Sequence, residues 1–182
     1  LPLPLVRARI IDPEGNPLPA GKDNCGELVL QAPWLTTGYY KNEEKSRDLW
    51  QGGWLHTGDI AVCDANGYLK ITDRLKDVIK SGGEWVSSIE LEDLILQQPG
   101  VAEAAVVAIP DERWTERPLA IVVAKPGVEL RPTAIEASLR ALADRGVISR
   151  YAVPAQILIA ASLPRTSVGK LDKKALRALY AS

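Results

Sequence analysis

The sequence predicts an α/β (α+β) protein in two parts: a β-rich stretch over 1–73, then a small α/β domain over 74–182. The second part is expected to hold a three-stranded sheet, helices and a β-hairpin. Three observations carry this. Up to residue 73, short alternating runs are separated by Gly-Gly and Asn-Gly breaks, the grammar of hairpins. Beyond Arg74, continuous apolar runs alternate with segments of helical period. Two S/T-x-x-E spacings, Ser87/Glu90 and Thr133/Glu136, each open one of those helical segments, as a capping box does.

Taken in order, Leu5–Ile11 reads as a strand, 12–17 (Asp-Pro-Glu-Gly-Asn-Pro) as a turn, and Gly26–Gln31 as a second strand. Asn42–Leu49 is polar and has room for one or two helical turns before Gln51-Gly52-Gly53 breaks it. Ile60–Cys63 and Tyr68–Thr72 flank Asp64-Ala65-Asn66-Gly67, a hairpin signal. This half reads as part of a β-subdomain.

In the second half, Leu75, Val78 and Ile79 alternate into Ser81-Gly82-Gly83 and out through Trp85-Val86, a short hairpin. A helix is expected from about Ser88, with Leu91, Leu94 and Ile95 on one face and Pro99-Gly100 at its end. Ala104–Ile109 and Leu119–Ala124 are apolar throughout, as strands covered on both faces are. Pro110–Pro118 between them is expected as a charged loop. Ile135, Leu139 and Leu142 give a second helix one apolar face, and Gly146 stops it. Ala155–Ala161 reads as a strand, and Asp172 as the cap of a last helix bearing Leu176 and Leu179.

Composition sets outer bounds. The 182 residues are 46% hydrophobic and 25% charged, the balance of an ordinary globular chain. A net charge of −1 gives no nucleic-acid or membrane-surface footprint. Cys25 and Cys63 lack metal-ligand spacing and adjoin strands, so buried reduced thiols and a cytoplasmic setting are expected. Met is absent even at position 1, and the sequence is expected to be part of a longer one.

Three ordered stretches then stand out: Trp54-Leu55-His56-Thr57-Gly58-Asp59, the run from Asp73 to Glu90, and Pro164-Arg165-Thr166-Ser167-Val168-Gly169-Lys170. Together they resemble three motifs of the adenylate-forming (AMP-binding) enzymes, the superfamily of acyl-CoA synthetases, luciferase and peptide-synthetase adenylation domains. Gly26-Glu27-Leu28 with Gly38-Tyr39 resembles a fourth. The resemblance covers the C-terminal third of such an enzyme. It implies that 1–73 is the last β-subdomain of a large N-terminal domain and 74–182 the mobile C-terminal domain. Ser81-Gly82-Gly83-Glu84-Trp85 and Trp114-Thr115-Glu116-Arg117-Pro118 look most like the medium- or long-chain fatty-acyl branch.

The resemblance also implies roles. Asp59 would bind the ribose of ATP and AMP with help from Arg74, since a carboxylate accepts two hydroxyl hydrogen bonds at once. The competing reading of Asp59 is a turn residue capping local amides. His56, the only histidine, reads as wall. Asp73 and Lys76 would form the hinge about which the C-terminal domain rotates; the bland reading of Lys76 is a surface salt bridge to Asp77 or Glu90. Ser81, Gly82, Gly83 and Glu84 would line the CoA pantetheine tunnel, with Lys80 assisting the second step. Trp85 and Trp114 read by default as core.

Lys170, on a flexible loop, would be catalytic. Its loop is not a P-loop, because the G-x-x-x-x-G spacing is missing. A cation is needed where a carboxylate meets the α-phosphate of ATP. At ~4 Å and an effective dielectric of ~20, one such contact is on the order of 4 kcal/mol before desolvation.

The function implied is the C-terminal part of an ATP-dependent fatty acid–CoA ligase, taking a carboxylate, ATP and CoA. Mg²⁺ is implied by the triphosphate rather than by ligands in this chain, and these 182 residues alone are expected to be inactive. The alternatives are a peptide-synthetase-type adenylation domain, a luciferase-like oxidase, and a stand-alone, non-catalytic nucleotide- or partner-binding module.

Overall fold

The computed structural model describes residues 3–180. The chain divides into two compact units, Leu1–Lys76 and Asp77–Ser182. That division lies slightly beyond the expected boundary after Asp73, because Arg74 is still paired in a strand of the first unit, opposite Asp59.

Unit 1 is a sheet of five strands: β1 (Arg7–Ile11), β2 (Gly21–Gln31), β3 (Trp50–Gln51), β4 (Trp54–Cys63) and β5 (Leu69–Arg74). Their order is β1-β2-β4-β3, with β5 also pairing β4, and all pairs are antiparallel. Helix α1 (Glu43–Leu49) begins where the Asn42 side chain accepts the Lys45 N–H. The 12–17 turn is held by Asp12, whose carboxylate accepts the Asn16 N–H at 2.7 Å. Ile10, Leu28 and Ala61 form one buried cluster, and Val29 and Ile60 are also fully buried. The two thiols, expected beside strands and buried, lie within β2 and at the end of β4 and are only half-buried.

Unit 2 contains β6 (Ile79–Ser81), β7 (Glu84–Val86), β8 (Val101–Asp111), β9 (Thr115–Ala124) and β10 (Gln156–Ile159). Its helices are α2 (Ser88–Leu96), α3 (Pro132–Asp144) and α4 (Lys173–Tyr180), with a short 3-10 turn at Arg150–Ala152. β8 and β9 form a long antiparallel hairpin, and β10 runs parallel to β9. The β6–β7 hairpin joins these three strands through one pair, Ser81 with Thr115.

The apolar runs of β8 and β9 are covered on both faces. Val106, Ala120 and Val122 pack with Leu91 and Ile95 of α2 and Ile135 and Leu139 of α3. Ala105, Val107, Leu119 and Ile121 pack on the other side with Leu163, from the segment after β10, and with Leu176 of α4.

Several local expectations change. The 110–118 stretch is mostly strand, since Pro110 pairs Glu116 and Asp111 pairs Thr115, which leaves only a tight turn. Alternation of charge there reflected edges of a hairpin rather than a loop. The Thr133/Glu136 capping box does not form: Pro132 occupies the first helical turn, which starts the helix at Arg131 with no side-chain cap. Ser87 does cap α2, accepting the Glu90 N–H at 3.1 Å, and Asp172 caps α4 through Ala175 N–H at 3.0 Å. Gly146 ends α3 with φ of 70°, and Val147 N–H reaches back to Leu142 C=O, a Schellman closure. On α4, Leu176 is fully buried while Leu179 faces solvent. No described helix is long and apolar enough to cross a membrane.

Candidate functional site

In unit 1, Asp59 lies inside β4 rather than at a strand start, beside the irregularity where β4 changes register against β5. Gly58 makes this possible with φ of 67°, a conformation that a Cβ disfavours. Its N–H donates to Glu27 Oε1 at 3.1 Å, and His56 Nδ1 stands 2.9 Å from Glu27 Oε2. Thr57 Oγ1 donates to Leu28 C=O and accepts the Asp59 N–H. The kink is therefore fixed from below, and Asp59 is held at its crest.

Arg74 Nε donates to Asp59 Oδ1 at 2.8 Å. Arg74 is largely exposed and Asp59 one-fifth exposed, so both remain reachable from solvent. One guanidinium contact uses only part of a carboxylate's acceptor capacity. The remaining acceptor capacity of Asp59 is open to hydroxyl donors. Neighbouring Asp73 is buried, and its carboxylate accepts the Arg74 N–H. Glu27 is buried, and by accepting the Gly58 N–H it supports that turn.

In unit 2, the Ser81–Glu84 segment is the tip of the β6–β7 hairpin. Gly82 has φ of 61°, and a Cβ there would stand 2.4 Å from the Tyr151 ring. Its N–H donates to Trp114 C=O at 3.1 Å, and Trp114 meets Tyr151 edge-on at 5.2 Å. Gly83 has φ of 83° and open space about it, and Glu84 is exposed. Ser81 Oγ is buried without a hydrogen-bond partner. Trp85 and Trp114 are half-buried rather than core, lying beside the hairpin tip and at the β8–β9 turn. Lys80 is exposed, its backbone N–H held by Glu116 at 2.8 Å. Lys76 is exposed, and Asp77 pairs instead with Arg177 at 3.0 Å.

Lys170 is exposed at the close of a hydrogen-bonded turn rather than on a loose loop. Thr166 N–H donates to Lys170 C=O at 2.7 Å, Lys170 N–H to Thr166 Oγ1, and Arg165 bridges Leu171 across the turn. Arg165 also donates to Gly169 C=O and pairs with Glu103.

That last contact places the Lys170 turn near the start of β8, whereas the Gly82 turn is held at Trp114, just past its end. Glu103 and Asp111 are eight residues apart on one strand (111 minus 103). At about 3.4 Å per residue the two ends are roughly 27 Å apart. The structure thus brings Asp59 and Arg74 together, and it keeps Lys170 away from Gly82 and Gly83. Among the described residues, no three His, Cys, Asp or Glu side chains group to hold a metal.

Comparison with known proteins gives consistent matches. The AMP-binding enzyme C-terminal domain family matches residues 90–170. The chain is 50% identical over 181 residues to a long-chain-fatty-acid–CoA ligase of Thermus thermophilus, covering 99% of this chain and 32% of the relative. It is 37% identical to a medium-chain-fatty-acid–CoA ligase of Ectopseudomonas oleovorans, covering 96% and 31%. Among solved structures it superposes on ATP-bound MatB from Rhodopseudomonas palustris with a TM-score of 0.83 at 32% identity, covering 99% and 35%. The chain spans about a third of the length of the relatives it matches.

Proposed function

Because this chain belongs to the adenylate-forming acyl-CoA synthetase superfamily and corresponds to a C-terminal portion of it, we propose that it serves an AMP-forming fatty acid–CoA ligase. The observation that carries the reading is the separation, on one rigid β8–β9 hairpin, of the Lys170 turn from the Gly82-Gly83 tip. Two half-reactions can be served by two ends of one small domain, each presented in turn.

In the first half-reaction a carboxylate oxygen attacks the α-phosphorus of ATP, and the bond to pyrophosphate breaks. Asp59 and Arg74 hold the ribose, and the Lys170 ammonium offsets the charge where two anions meet. In the second, the CoA sulfur attacks the acyl carbon, the thiol proton is lost, and AMP leaves. The Ser81–Glu84 tip, walled by Trp114 and Tyr151, lines the pantetheine there, with Lys80 at its base. Asp73 and Lys76 form the hinge between the two arrangements. Mg²⁺ would arrive with the triphosphate. The fatty acyl class draws support from the long- and medium-chain ligases among the relatives. Residues 1–182 by themselves catalyse no carboxylate-dependent ATP–pyrophosphate exchange, and the protein works in the cytoplasm.

Single-turnover assays of each half-reaction, on an enzyme containing this chain and its upstream domain, test the reading. Lys170→Ala should slow acyl-AMP formation by about a hundredfold or more and spare CoA attack on supplied acyl-AMP. Lys170→Arg should also be slow, since a planar fork does not replace a compact ammonium. Gly83→Trp should do the reverse. Equal slowing of both steps by Lys170→Ala would overturn it.

A further inference from the structure

Three residues beyond Lys170, on the first turn of α4, Lys173 Nζ lies 2.7 Å from Glu92 Oε1 and donates to Ser88 Oγ at 2.7 Å. Both charged side chains are almost buried, at 13% and 14% exposure. Glu92 belongs to α2 and also accepts the Val106 N–H at 2.8 Å, so one carboxylate joins α2, β8 and α4. One turn on, the fully buried Leu176 seats α4 against the sheet. Arg177 then donates to Asp77 Oδ1 at 3.0 Å. Asp77 is the first residue of unit 2.

Surface lysines rarely fix anything, because an exposed pair is worth little and its side chains stay free. This pair differs in burial and in having a third partner. A buried carboxylate that loses its cation is strongly disfavoured, so the Lys173 ammonium is pinned to Glu92. Pinning Lys173 pins the start of α4, which is capped by Asp172, two residues after Lys170. The Lys170 turn itself closes on Arg165 and Glu103, so both of its ends are tied to β8 and α2.

From this geometry we infer that Lys173 and Arg177 are positioning residues for Lys170. The Lys173–Glu92–Ser88 cluster sets where the Lys170 ammonium stands. The Arg177–Asp77 pair ties α4 to the first residue after the hinge segment, so a rotation there carries Lys170 as part of one rigid body. The inference rests on the proposed role of Lys170 and adds residues that touch no substrate.

The test is a double-mutant cycle on the enzyme containing this chain and its upstream domain. Lys173→Gln removes the charge and keeps much of the stem. It should slow acyl-AMP formation about 10- to 100-fold, chiefly in kcat, with CoA attack on supplied acyl-AMP within about twofold. Lys173→Arg should recover most of the rate. In a Lys170→Ala background the Lys173→Gln penalty should vanish, because the residue acts only through that ammonium. Should Lys173→Gln fail to fold, Arg177→Gln, on the more exposed pair, carries the same cycle with Arg177→Lys as its rescue. A penalty that persists unchanged in the Lys170→Ala background overturns the positioning role while leaving the proposed function intact. If Lys170→Ala itself leaves acyl-AMP formation unchanged, the proposed function fails first.

Discussion

Unit 1 and unit 2 both present candidate site residues on strand-and-turn scaffolds, but they hold them by different means. Unit 1 holds Asp59 by polar contacts at a backbone irregularity: Glu27, Thr57 and Gly58 share the work over a core cluster of three buried residues. Unit 2 holds Lys170 and Gly82 at the ends of a hairpin sandwiched by two apolar clusters. Unit 1 also leaves Trp34, Tyr39, Tyr40 and Tyr68 mostly exposed and fully buries Val29 and Ile60, whereas unit 2 fully buries Ile79, Leu91, Ile95, Leu119, Ile121 and Leu139. Geometry in unit 2 therefore comes from packing, which resists displacement because interiors are close-packed. In unit 1 it comes from a few hydrogen bonds, each of modest net worth.

The largest test of this contrast is to separate the units. Residues 77–182 alone should unfold in urea as one cooperative transition followed by Trp85 and Trp114 fluorescence. Residues 1–76 alone should show a broad, early change. A sharp transition for 1–76 at matching urea would break the comparison.

Next in size are truncations of the cores. Leu139→Ala, at a fully buried position between α3 and the sheet, should cost about 2–5 kcal/mol. Leu28→Ala in unit 1 should fall at or below the low end of that range of about 2–5 kcal/mol, because fewer buried neighbours surround it. Chemical denaturation of the two variants decides whether packing density or residue type governs the loss.

Within unit 2, the two glycines of the hairpin tip sharpen the point. Gly82→Ala meets both an unfavourable φ and the Tyr151 ring, and should cost about 1–3 kcal/mol from overpacking alone. Gly83→Ala meets only the backbone term, about 1–2 kcal/mol. Equal losses for the two variants would mean that the Tyr151 ring gives way freely.

The smallest effect belongs to the 12–17 turn of unit 1. The Asn16 backbone N–H, against a smaller opposing effect of desolvation, holds the Asp12 carboxyl below its ordinary value of 3.8. A depressed folded value means that the ionised form stabilises the fold. That contribution is present above pH 3.8 and is lost as pH falls through the folded value. Asp12→Ala should thus be slightly less stable than the parent near neutral pH, and the gap should close in acid. A gap that is constant from pH 7 to pH 2 would assign it to the turn alone.

Much of this molecule was legible in one dimension. Alternation, Asn-Gly and Gly-Gly breaks, and the Ser87 and Asp172 caps are local signals, set by residues within a turn of one another. They placed the hairpins, the helices and the two-part division with little help from the rest of the chain. Asp59, Arg74, Lys80, Gly82 and Lys170 could be singled out as candidates for the same reason, since each motif is contiguous.

What sequence could not show depended on residues far apart in the chain. The charged 110–118 stretch became strand because β8 offered β9 a partner. Tyr151 beside Gly82, Glu27 beneath Gly58, and Glu92 beneath Lys173 are contacts across 69, 31 and 81 positions (151 minus 82, 58 minus 27, 173 minus 92). No local propensity encodes such pairs. They exist because folding brings distant segments into contact, so a buried polar group or a close turn meets its neighbour only in the tertiary structure.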